Sequence, residues 1–339
     1  MPTGNRQIVL KRRPEGWVGE ADFALREAAP PPLGQGDVLV RNIYLSLDPY
    51  MRGRMNAGKS YAEPFALDEV LKGRVIGEVV ESRHPDFKAG EVVFGMLGWE
   101  EYSLAPGAES LRHVDPALAP LPYYLGALGM PGMTAWYGML EIGRPATGEC
   151  VYVSAAAGAV GQIAGQIAKL KGGRVVGSAG DDAKVAYVTA ELGFDAAFNY
   201  RTVPSHLEAL QQHCPEGIDV YFDNVGGAML EAALEQANAG ARFVECGMIS
   251  QYNLVQPEGV RNLTHLTRKR ITMQGFIISD HAHHLQEFLA EMAAWLGSGA
   301  VKYRVDVAEG LERAPAAFVG MLKGRNFGKQ VVRIGPEPA

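Results

Sequence analysis

The residues best suited to chemistry form a glycine-containing turn near the middle of the chain. Aligned on its last glycine, this stretch reads Ala156-x-Gly158-x-x-Gly161, the dinucleotide fingerprint with alanine at the first position. The second glycine lets the backbone approach a pyrophosphate, and the third lets the following helix pack closely against the strand. A Gly/Ala-rich structural turn is the alternative interpretation. The predicted pyrophosphate cradle comprises Gly158, Ala159, Val160 and Gly161.

The end of the next strand predicts which nucleotide is bound. An NAD site usually has Asp or Glu there, bonded to the adenine ribose, whereas this chain has the neutral run Gly177–Gly180. Small residues leave room for a 2′-phosphate, and Lys184 follows where it can pair with that group. One of the pair Asp181-Asp182 is an alternative candidate for the acid that binds the adenine ribose of NAD. We favour Asp181 as the N-cap of the next helix. The pattern therefore favours NADP(H).

Several other chemistries lack the residues they need. No tyrosine is followed by lysine four positions on, and no GxSxG occurs, which argues against a short-chain dehydrogenase and an α/β-hydrolase. The three cysteines, Cys150, Cys214 and Cys246, are far apart and form no CxxC. The dense cluster His281-Ala282-His283-His284 is interpreted as a solvated loop or helix start rather than a metal site. We predict no bound metal.

The pattern of predicted secondary structure around this turn changes near residue 125. β-branched runs bounded by glycine and proline predict short strands at residues 37–44, 73–80 and 91–95. Strands then alternate with helical patterns, which predicts a doubly wound parallel sheet. In this second part we predict strands at 151–154, 174–178, 218–222, 242–246 and 271–276, with helices at 184–192 and 229–238. The C-terminal part returns to strand, helix and strand at 302–307, 311–323 and 329–334.

Composition limits the partners. The 339 residues are 47% hydrophobic, enough for one large domain or two ordinary ones, and the formal net charge of −6 predicts a mildly acidic surface. Such a surface argues against nucleic acid, which usually selects a basic stripe. No apolar stretch has the length of a membrane span. Sparse cysteines, with no secretory signal at the N-terminus, predict a cytoplasmic protein.

With these residues in view, the chain resembles the medium-chain dehydrogenase/reductases, in their zinc-independent branch. That branch contains prostaglandin and leukotriene reductases, plant alkenal double-bond reductases and bacterial NADPH-dependent curcumin reductases, and the last group is the most similar. Gly73-Arg74-Val75 stands where zinc alcohol dehydrogenases have Gly-His-Glu, and their four-cysteine lobe is absent. The motifs that carry the resemblance are LSLDPYMRGR at 45–54, LGMPGMTA at 128–135, AAAGAVG at 155–161, YFDNVGG at 221–227, CGMISQYN at 246–253 and LKGRNFGK at 322–329.

The resemblance implies an α/β protein of two domains. A GroES-like β-rich catalytic domain would occupy residues 1–125, a Rossmann NADP-binding domain residues 126–298, and residues 299–339 would return to the catalytic domain. It implies NADPH as cofactor, with Lys184 and Tyr200 on the 2′-phosphate. The remaining residues implied for the ribose and nicotinamide are Asn224, Cys246, Gly247, Ile249, Ser250, Tyr252, Phe276, Ile277, Ile278 and Asn326.

The implied reaction is reduction of a carbon–carbon double bond conjugated to a carbonyl, in a small hydrophobic substrate. Hydride reaches the β-carbon and charge develops on the carbonyl oxygen, which needs a neutral hydrogen-bond donor. Tyr252 is the candidate donor, and a loop tyrosine packed on apolar surface is the alternative. Tyr50 and Met130 are candidates for the substrate cleft. Arg52 is a candidate either for that cleft or for an ion pair that holds the cleft loop.

Two other functions remain open at this point. A quinone oxidoreductase would use the same cofactor and hydride geometry, and an NADPH-binding structural or sensor protein would use the fold without turnover. The resemblance also implies a homodimer formed through the edge of the Rossmann sheet.

Overall fold

The computed structural model describes residues 4–58 and 60–338. Its contacts divide the chain into two compact units. The terminal unit comprises Met1–Leu125 with Val305–Ala339, and the central unit comprises Gly126–Arg304. None of the described helices combines the length and the apolar character that crossing a bilayer requires.

The N-terminal part of the terminal unit is built from strands. β-branched and aromatic residues dominate the strand interiors, and Val38, Val40 and Ile43 are fully buried there. Three of these strands confirm the runs predicted at 37–44, 73–80 and 91–95. The elements are β1 (Asn5–Leu10), β2 (Phe23–Ala28), β3 (Val38–Ser46), α1 (Met51–Arg54), β4 (Lys72–Ser82), β5 (Val92–Gly98), β6 (Tyr102–Ala105) and β7 (Arg112–His113), with 3-10 turns at Glu20–Asp22, Pro106–Ala108 and Leu121–Leu125.

The central unit alternates helices and strands. Its first elements are α2 (Met130–Tyr137), a π-helical segment (Gly138–Gly143), β8 (Cys150–Val153), α3 (Gly161–Leu170), β9 (Arg174–Ala179), α4 (Asp182–Ala190), β10 (Ala196–Asn199) and α5 (His206–His213). The rest are β11 (Ile218–Asp223), α6 (Gly227–Gln236), β12 (Ala237–Glu245), α7 (Thr264–Lys269), β13 (Thr272–Gly275), a 3-10 segment (Ile278–His284) and α8 (Leu285–Gly297).

The sheet of the central unit confirms the predicted doubly wound topology. In the described part of the chain its order is β10-β9-β8-β11-β12-β13, and every pair is parallel. The winding reverses between β8 and β11, and open α/β sheets bind ligands in the crevice at the carboxyl ends of such strands. Buried aromatic residues fill one face, where Tyr152 stacks on Tyr221 with ring centroids 4.9 Å apart.

The C-terminal part returns to the terminal unit as β14 (Val305–Glu309), a 3-10 turn (Leu311–Arg313), α9 (Ala314–Leu322) and β15 (Lys329–Arg333). In the described chain a seven-stranded sheet has the order β14-β15-β3-β4-β5-β7, with β6 paired to β3, beside a hairpin of β1 and β2. β14 is parallel to β15, and β15 is antiparallel to β3.

The first predicted strand of the return begins later than residue 302. The backbone amides of Lys302 and Arg304 donate to the side chains of Gln166 and Gln162 on α3, at 2.8 and 2.9 Å. These bonds hold residues 302–304 against the central unit, so β14 starts only at Val305. The chain therefore leaves the central unit at Arg304, after the boundary expected between residues 298 and 299.

Two helices also have different ends from those predicted. α4 begins at Asp182 because Asp181 is its N-cap and accepts a bond from the Lys184 amide at 2.9 Å, which confirms the capping interpretation. α6 runs from Gly227 to Gln236 rather than from 229 to 238. It ends early because Ala237 already pairs with Ile218 in the sheet.

A buried ion pair joins the early signature of the terminal unit to its last strand. Lys329 Nζ lies 2.9 Å from Asp48 Oδ1 and donates to the Leu47 carbonyl at 2.6 Å. The Ser46 hydroxyl donates to Asp48 Oδ2 at 2.6 Å. The side chains of Lys329 and Asp48 are 1% and 5% exposed, so removal of either leaves an uncompensated buried charge.

We predict that Lys329→Met lowers the free energy of unfolding by about 3–5 kcal/mol, because Asp48 loses its buried cation. Urea denaturation followed by fluorescence measures the change. Arg333→Met is the matched control, since Arg333 lies on the same strand but pairs with Glu309 at the surface. A Lys329→Met protein as stable as the control would contradict the assigned role of the pair.

Candidate active site

The turn after β8 has the shape of a nucleotide cradle. Ala155 adopts a left-handed conformation with φ 49°, and its carbonyl accepts a bond from the Gly158 amide at 2.9 Å. Alanine replaces the usual first glycine at Ala156, whose amide is bonded to the Ser178 carbonyl at 2.9 Å. The left-handed turn thus falls one residue before the fingerprint, at a conformation that costs an L-residue about 1 kcal/mol or more.

The last glycine of the fingerprint is required by close packing. A Cβ on Gly161 would collide with the Ala155 carbonyl oxygen and lie 2.9 Å from the Ala156 Cα. A Cβ on Gly158 would lie 3.1 Å from the same carbonyl oxygen. α3 therefore begins with its first amides close to the end of β8, the arrangement that binds a phosphate at a helix N-terminus.

The residues predicted for a 2′-phosphate surround the end of β9. Lys184 is buried in the first turn of α4, and its Nζ lies 3.8 Å from Asp181 Oδ2. Tyr200 follows β10, and its amide bonds the Ala179 carbonyl at 3.1 Å. A Cβ on Gly180 would lie 2.9 Å from the Tyr200 hydroxyl oxygen. Gly180 after β9, Lys184 in α4 and Tyr200 after β10 therefore lie around the carboxyl end of β9.

Both acids that could have indicated NAD are bonded within the protein. Asp181 caps α4, and Asp182 Oδ1 accepts a bond from Asn199 Nδ2 at 2.7 Å. The geometry therefore favours the neutral Gly177–Gly180 strand end, rather than either carboxylate, as the surface that meets the adenine ribose.

A buried carboxylate organises the crevice between β8 and β11. Asp223 is fully buried, and its Oδ1 accepts bonds from four donors among the described residues. They are the Ser154 hydroxyl at 3.1 Å, the Tyr221 hydroxyl at 2.7 Å, and the amides of Val225 and Gly226 at 2.8 and 2.9 Å. This oxygen joins the ends of two strands to the start of α6.

Asn224, predicted to line the nicotinamide ribose, is held across the same crevice. Its amide nitrogen Nδ2 donates to the Ser154 carbonyl at 2.8 Å, and its backbone amide donates to the Ser154 hydroxyl at 2.9 Å. Because both bonds run to the end of β8, the side chain is fixed beside the cradle.

Backbone hydrogen bonds hold the loop after β12 against residues 223–225 at the end of β11. The amides of Cys246 and Gly247 donate to the Asp223 carbonyl at 3.0 and 3.1 Å. Ile249 donates to the Asn224 carbonyl at 3.2 Å, and Ser250 donates to the Val225 carbonyl at 3.1 Å. The predicted cofactor residues of strands β11 and β12 are therefore brought together.

Tyr252 is folded back over its own loop. Its hydroxyl accepts a bond from the Met248 amide at 3.2 Å, and a Cβ on Gly247 would lie 2.8 Å from that hydroxyl oxygen. The phenol oxygen thus lies beside the backbone that follows β12, and its role as oxyanion donor stays a prediction.

A pocket of about 420 Å³ opens at the carboxyl ends of β12 and β13. Phe276, one of its walls, packs against Tyr137 with centroids 5.6 Å apart, and Tyr137 stacks on His281 at 3.9 Å. Burial, followed by the charge of Asp223, raises the pKa of the Cys246 thiol to about 12, so this thiol is neutral. The lining residues are Glu245, Cys246, Gly247, Met248, Gly275, Phe276, Ile277 and Asp280.

The histidine cluster belongs to the 3-10 segment that leads into α8, and Ile278 begins it. His284 Nδ1 lies 3.1 Å from Glu287 Oε2, and its ring packs on Trp136 at 5.7 Å. Within residues 4–58 and 60–338, no group of three or more His, Cys, Asp or Glu side chains is arranged to hold a metal.

Three predicted residues lie in the terminal unit. Arg52 is 2% exposed and donates to Asn56 Oδ1 at 2.8 Å and to the Gly16 carbonyl at 2.7 Å, the bonds of a residue that holds loops. Burial, then the charge of Asp48, raises the pKa of Tyr50. Asn326 Nδ2 donates to the Gly328 carbonyl at 2.7 Å.

Met130 belongs instead to the central unit, as the first residue of α2. Its carbonyl accepts a bond from the Thr134 hydroxyl at 2.8 Å. The proposed substrate contacts of Tyr50, Arg52 and Met130, and the nicotinamide contact of Asn326, remain predictions.

The sequence interpretation missed Ser154, Asp223 and Glu245 as site residues. Each ends or directly follows a buried strand of the central sheet. That signal was available, because a polar residue where an apolar strand ends lies at the edge that binds ligands. The hydrogen bonds of Ser154 and Asp223, and the pairing of Asp223 with Glu245, depend on strand order and could not be predicted.

Comparison with known proteins agrees with this geometry. Residues 6–114 match the family model described as the N-terminal domain of oxidoreductase, and residues 159–295 match the model described as zinc-binding dehydrogenase. The chain is 47% identical to a 2-alkenal reductase (NADP(+)-dependent) of Nicotiana tabacum, covering 98% of each chain. It is 44% identical to an NADPH-dependent curcumin reductase of Escherichia coli, covering 97% of each.

The fold also matches a solved structure closely. The crystal structure of CurA in complex with NADPH from Vibrio vulnificus superimposes with a TM-score of 0.93 at 45% identity. The match covers 98% of this chain and 100% of that one.

We predict that Gly161→Ala lowers the free energy of unfolding by about 1–3 kcal/mol, because its Cβ overlaps the Ala155 carbonyl and forces the cradle open. Denaturant titration measures the loss. Gly297→Ala, at a helical glycine where an added Cβ would meet nothing within 4 Å, serves as the control and keeps wild-type stability. Equal stability of the two variants would show that the cradle is not tightly packed.

Proposed function

The chain belongs to the medium-chain dehydrogenase/reductase family, and from this premise we propose that it is an NADPH-dependent reductase of carbon–carbon double bonds conjugated to a carbonyl. Near-full-length relatives carry that activity in their names, as 2-alkenal reductase and curcumin reductase. One observation carries the proposal to this chain. Three features lie at the carboxyl ends of the parallel strands: the glycine turn after β8, the neutral end of β9 with Lys184, and the Tyr252 hydroxyl after β12.

The residues present fit an NADP-type dinucleotide. Gly158 and Gly161 let the turn and the start of α3 pack against Ala155, whose carbonyl a Cβ at either position would crowd, so the first amides of α3 can face a pyrophosphate. Lys184 supplies a cation for the 2′-phosphate, and the Tyr200 hydroxyl supplies a hydrogen bond. Asn224 and the 246–252 loop line the nicotinamide side. When bound, NADPH supplies the hydride that the reaction needs.

Tyr252 stabilises the enolate that develops during the reaction, and solvent supplies the final proton. Hydride addition at the β-carbon places negative charge on the carbonyl oxygen of the substrate, and a proton from solvent completes the α-carbon. The Tyr252 hydroxyl donates a hydrogen bond to that oxygen, and as a neutral donor it stabilises the charge without a metal. The apolar walls of Phe276 and Ile277 favour a small hydrophobic enone or enal over a charged substrate.

The proposed activity is tested by NADPH oxidation with a medium-chain enone, its saturated ketone and a quinone side by side, each repeated with NADH. We expect turnover of the enone, and not of the ketone or quinone, with NADPH preferred over NADH. A faster rate with the quinone would assign the chain to quinone reduction. NADPH binding without any turnover would favour a structural or sensor role.

We predict that Lys184→Ala weakens NADPH binding by about 10- to 100-fold, since a charged hydrogen bond is worth about 1.5–3 kcal/mol, and leaves NADH binding nearly unchanged. Fluorescence titration of both nucleotides measures the effect. Lys171→Ala, at an exposed lysine just after α3, is the control. Equal losses for NADPH and NADH would rule out the 2′-phosphate assignment.

We predict that Tyr252→Phe lowers kcat for the enone by about 100- to 1000-fold, the usual effect of removing one oxyanion donor. The NADPH dissociation constant is measured in parallel, because the hydroxyl also accepts the Met248 amide. Tyr124→Phe, at a hydroxyl bonded to the Asp115 carbonyl, is the control. A kcat within about threefold of wild type would remove Tyr252 from the reaction.

We also infer a homodimer formed through β13. Among the described strands, β13 pairs only with β12, so its other edge presents unpaired backbone groups of the kind that a second sheet covers. Light scattering at micromolar concentration tests this inference, and a monomer mass would contradict it. Cytoplasmic location is inferred from the free thiols of Cys150, Cys214 and Cys246.

A further inference from the structure

Two carboxyl side chains lie side by side where β11 and β12 end. Asp223 and Glu245 are register partners on these parallel strands, so their side chains project from the same face of the sheet. Neighbouring strands are about 4.8 Å apart, which places the two carboxyl groups in electrostatic contact. Gly275 occupies the matching position on β13 and offers no side chain to separate Glu245 from the pocket.

The hydrogen bonds of this pair are strongly unequal. Burial raises the pKa of Asp223, but its Oδ1 accepts the four bonds described above, which favour the ionised form and which Glu245 lacks. Within the described chain, Asp223 Oδ2 and both carboxyl oxygens of Glu245 are buried without a hydrogen-bond partner. Ionisation of both carboxyl groups at this site is unfavourable, because burial and mutual repulsion both disfavour the second charge.

The cations on the surrounding described elements are engaged away from the two acids, and Arg242 on β12 itself pairs with Glu149 beside the start of β8. Asp219 on β11 bonds Asn238 and the Cys150 amide at the opposite end of the strands. On α7, His265 pairs with Glu235 and Lys269 donates to backbone carbonyls, while β13 carries no titratable side chain. The other titratable groups nearby are Tyr221 on β11, Cys246 after β12, Asp280 in the pocket wall and the exposed Glu141 of the π-helical segment.

These contacts assign the single proton to Glu245. Asp223 already satisfies one oxygen with four donors, whereas ionised Glu245 would have none. Burial, followed by the charge of Asp223, raises the pKa of Glu245 to about 8. A neutral Glu245 offers one O–H to the unpartnered Asp223 Oδ2, so that the pair holds one charge and one proton.

We propose that Glu245 is a positioning residue for the cofactor site, and that its proton, shared with Asp223, keeps the 246–252 loop in its NADPH-binding arrangement. This inference rests on the proposed function. The Asp223 carbonyl accepts the amides of Cys246 and Gly247, so any displacement of Asp223 moves the start of the loop directly. Loss of the proton places two charges against each other at this point, and NADPH binding weakens.

The proposal is tested by NADPH titration of the full chain at pH 7, 8 and 9. If only the protonated form binds, one tenth of the protein is competent one pH unit above the pKa of Glu245, so the wild-type dissociation constant rises about tenfold between pH 7 and 9. Glu245→Gln, which is neutral at every pH, keeps a nearly constant dissociation constant. Glu309→Gln, at an exposed glutamate that also ends a strand, retains the wild-type profile.

The results separate this proposal from the proposed function. A Glu245→Gln profile that rises like wild type would overturn the role of Glu245 while leaving NADPH binding intact. Absence of NADPH binding at pH 7 in wild type would instead contradict the proposed function. If Glu245→Gln does not fold, Glu245→Ala replaces it, with the same flat profile expected.

A measurement without cofactor tests the proton itself. The carboxyl pKa is raised in the folded state, so its stabilising contribution is complete below the unfolded value near 4.5 and is lost as the pH rises to about 8. The Tm of wild type should therefore fall relative to that of Glu245→Gln over this range and run parallel above it. A constant difference in Tm from pH 5 to 9 would overturn the shared proton.

Discussion

The site depends on one buried carboxylate oxygen. Asp223 Oδ1 accepts bonds from the ends of two neighbouring strands and from the first turn of the helix that follows. The backbone carbonyl of the same residue holds the loop that begins at Cys246. Without this carboxylate, the Tyr221 hydroxyl and the amides of Val225 and Gly226 would lose this acceptor in a buried region. The crevice at the ends of β8 and β11 is therefore held in shape by a carboxylate that is itself buried in the protein.

That arrangement constrains what can be placed next to it. The neighbouring register position on β12 faces a buried negative charge, and an apolar side chain there would be the simplest solution. The chain has Glu245 instead, and its carboxyl oxygens find no partner among the described residues. A buried polar group without partners is costly, and such groups persist where they serve a function. In our proposal, the pair links the protonation state at the carboxyl ends of β11 and β12 to the geometry of the 246–252 loop.

Local sequence patterns predicted the parts of the fold that depend on neighbours in the chain. The strand, turn and helix at the fingerprint, the βαβ alternation and the Asp181 cap are all decided within a few residues, and these local structures are confirmed. The start of β14 was predicted wrongly, because bonds from Gln162 and Gln166 hold residues 302–304 elsewhere. The Asp223–Glu245 pair was not predicted, because it depends on the register of strands that are separated by α6. The left-handed Ala155 was also unexpected, since glycine is the usual residue there.

Conjugate reduction is tested most directly by the fate of deuterium from NADPH labelled at C4 of the nicotinamide. An α,β-unsaturated ketone is reduced with the labelled cofactor in ordinary water, and the product is examined by NMR. We expect a saturated ketone with deuterium on the β-carbon and a solvent proton on the α-carbon. Deuterium on the carbonyl carbon of an allylic alcohol would contradict this mechanism, because the enzyme would then reduce the carbonyl group and not the conjugated double bond.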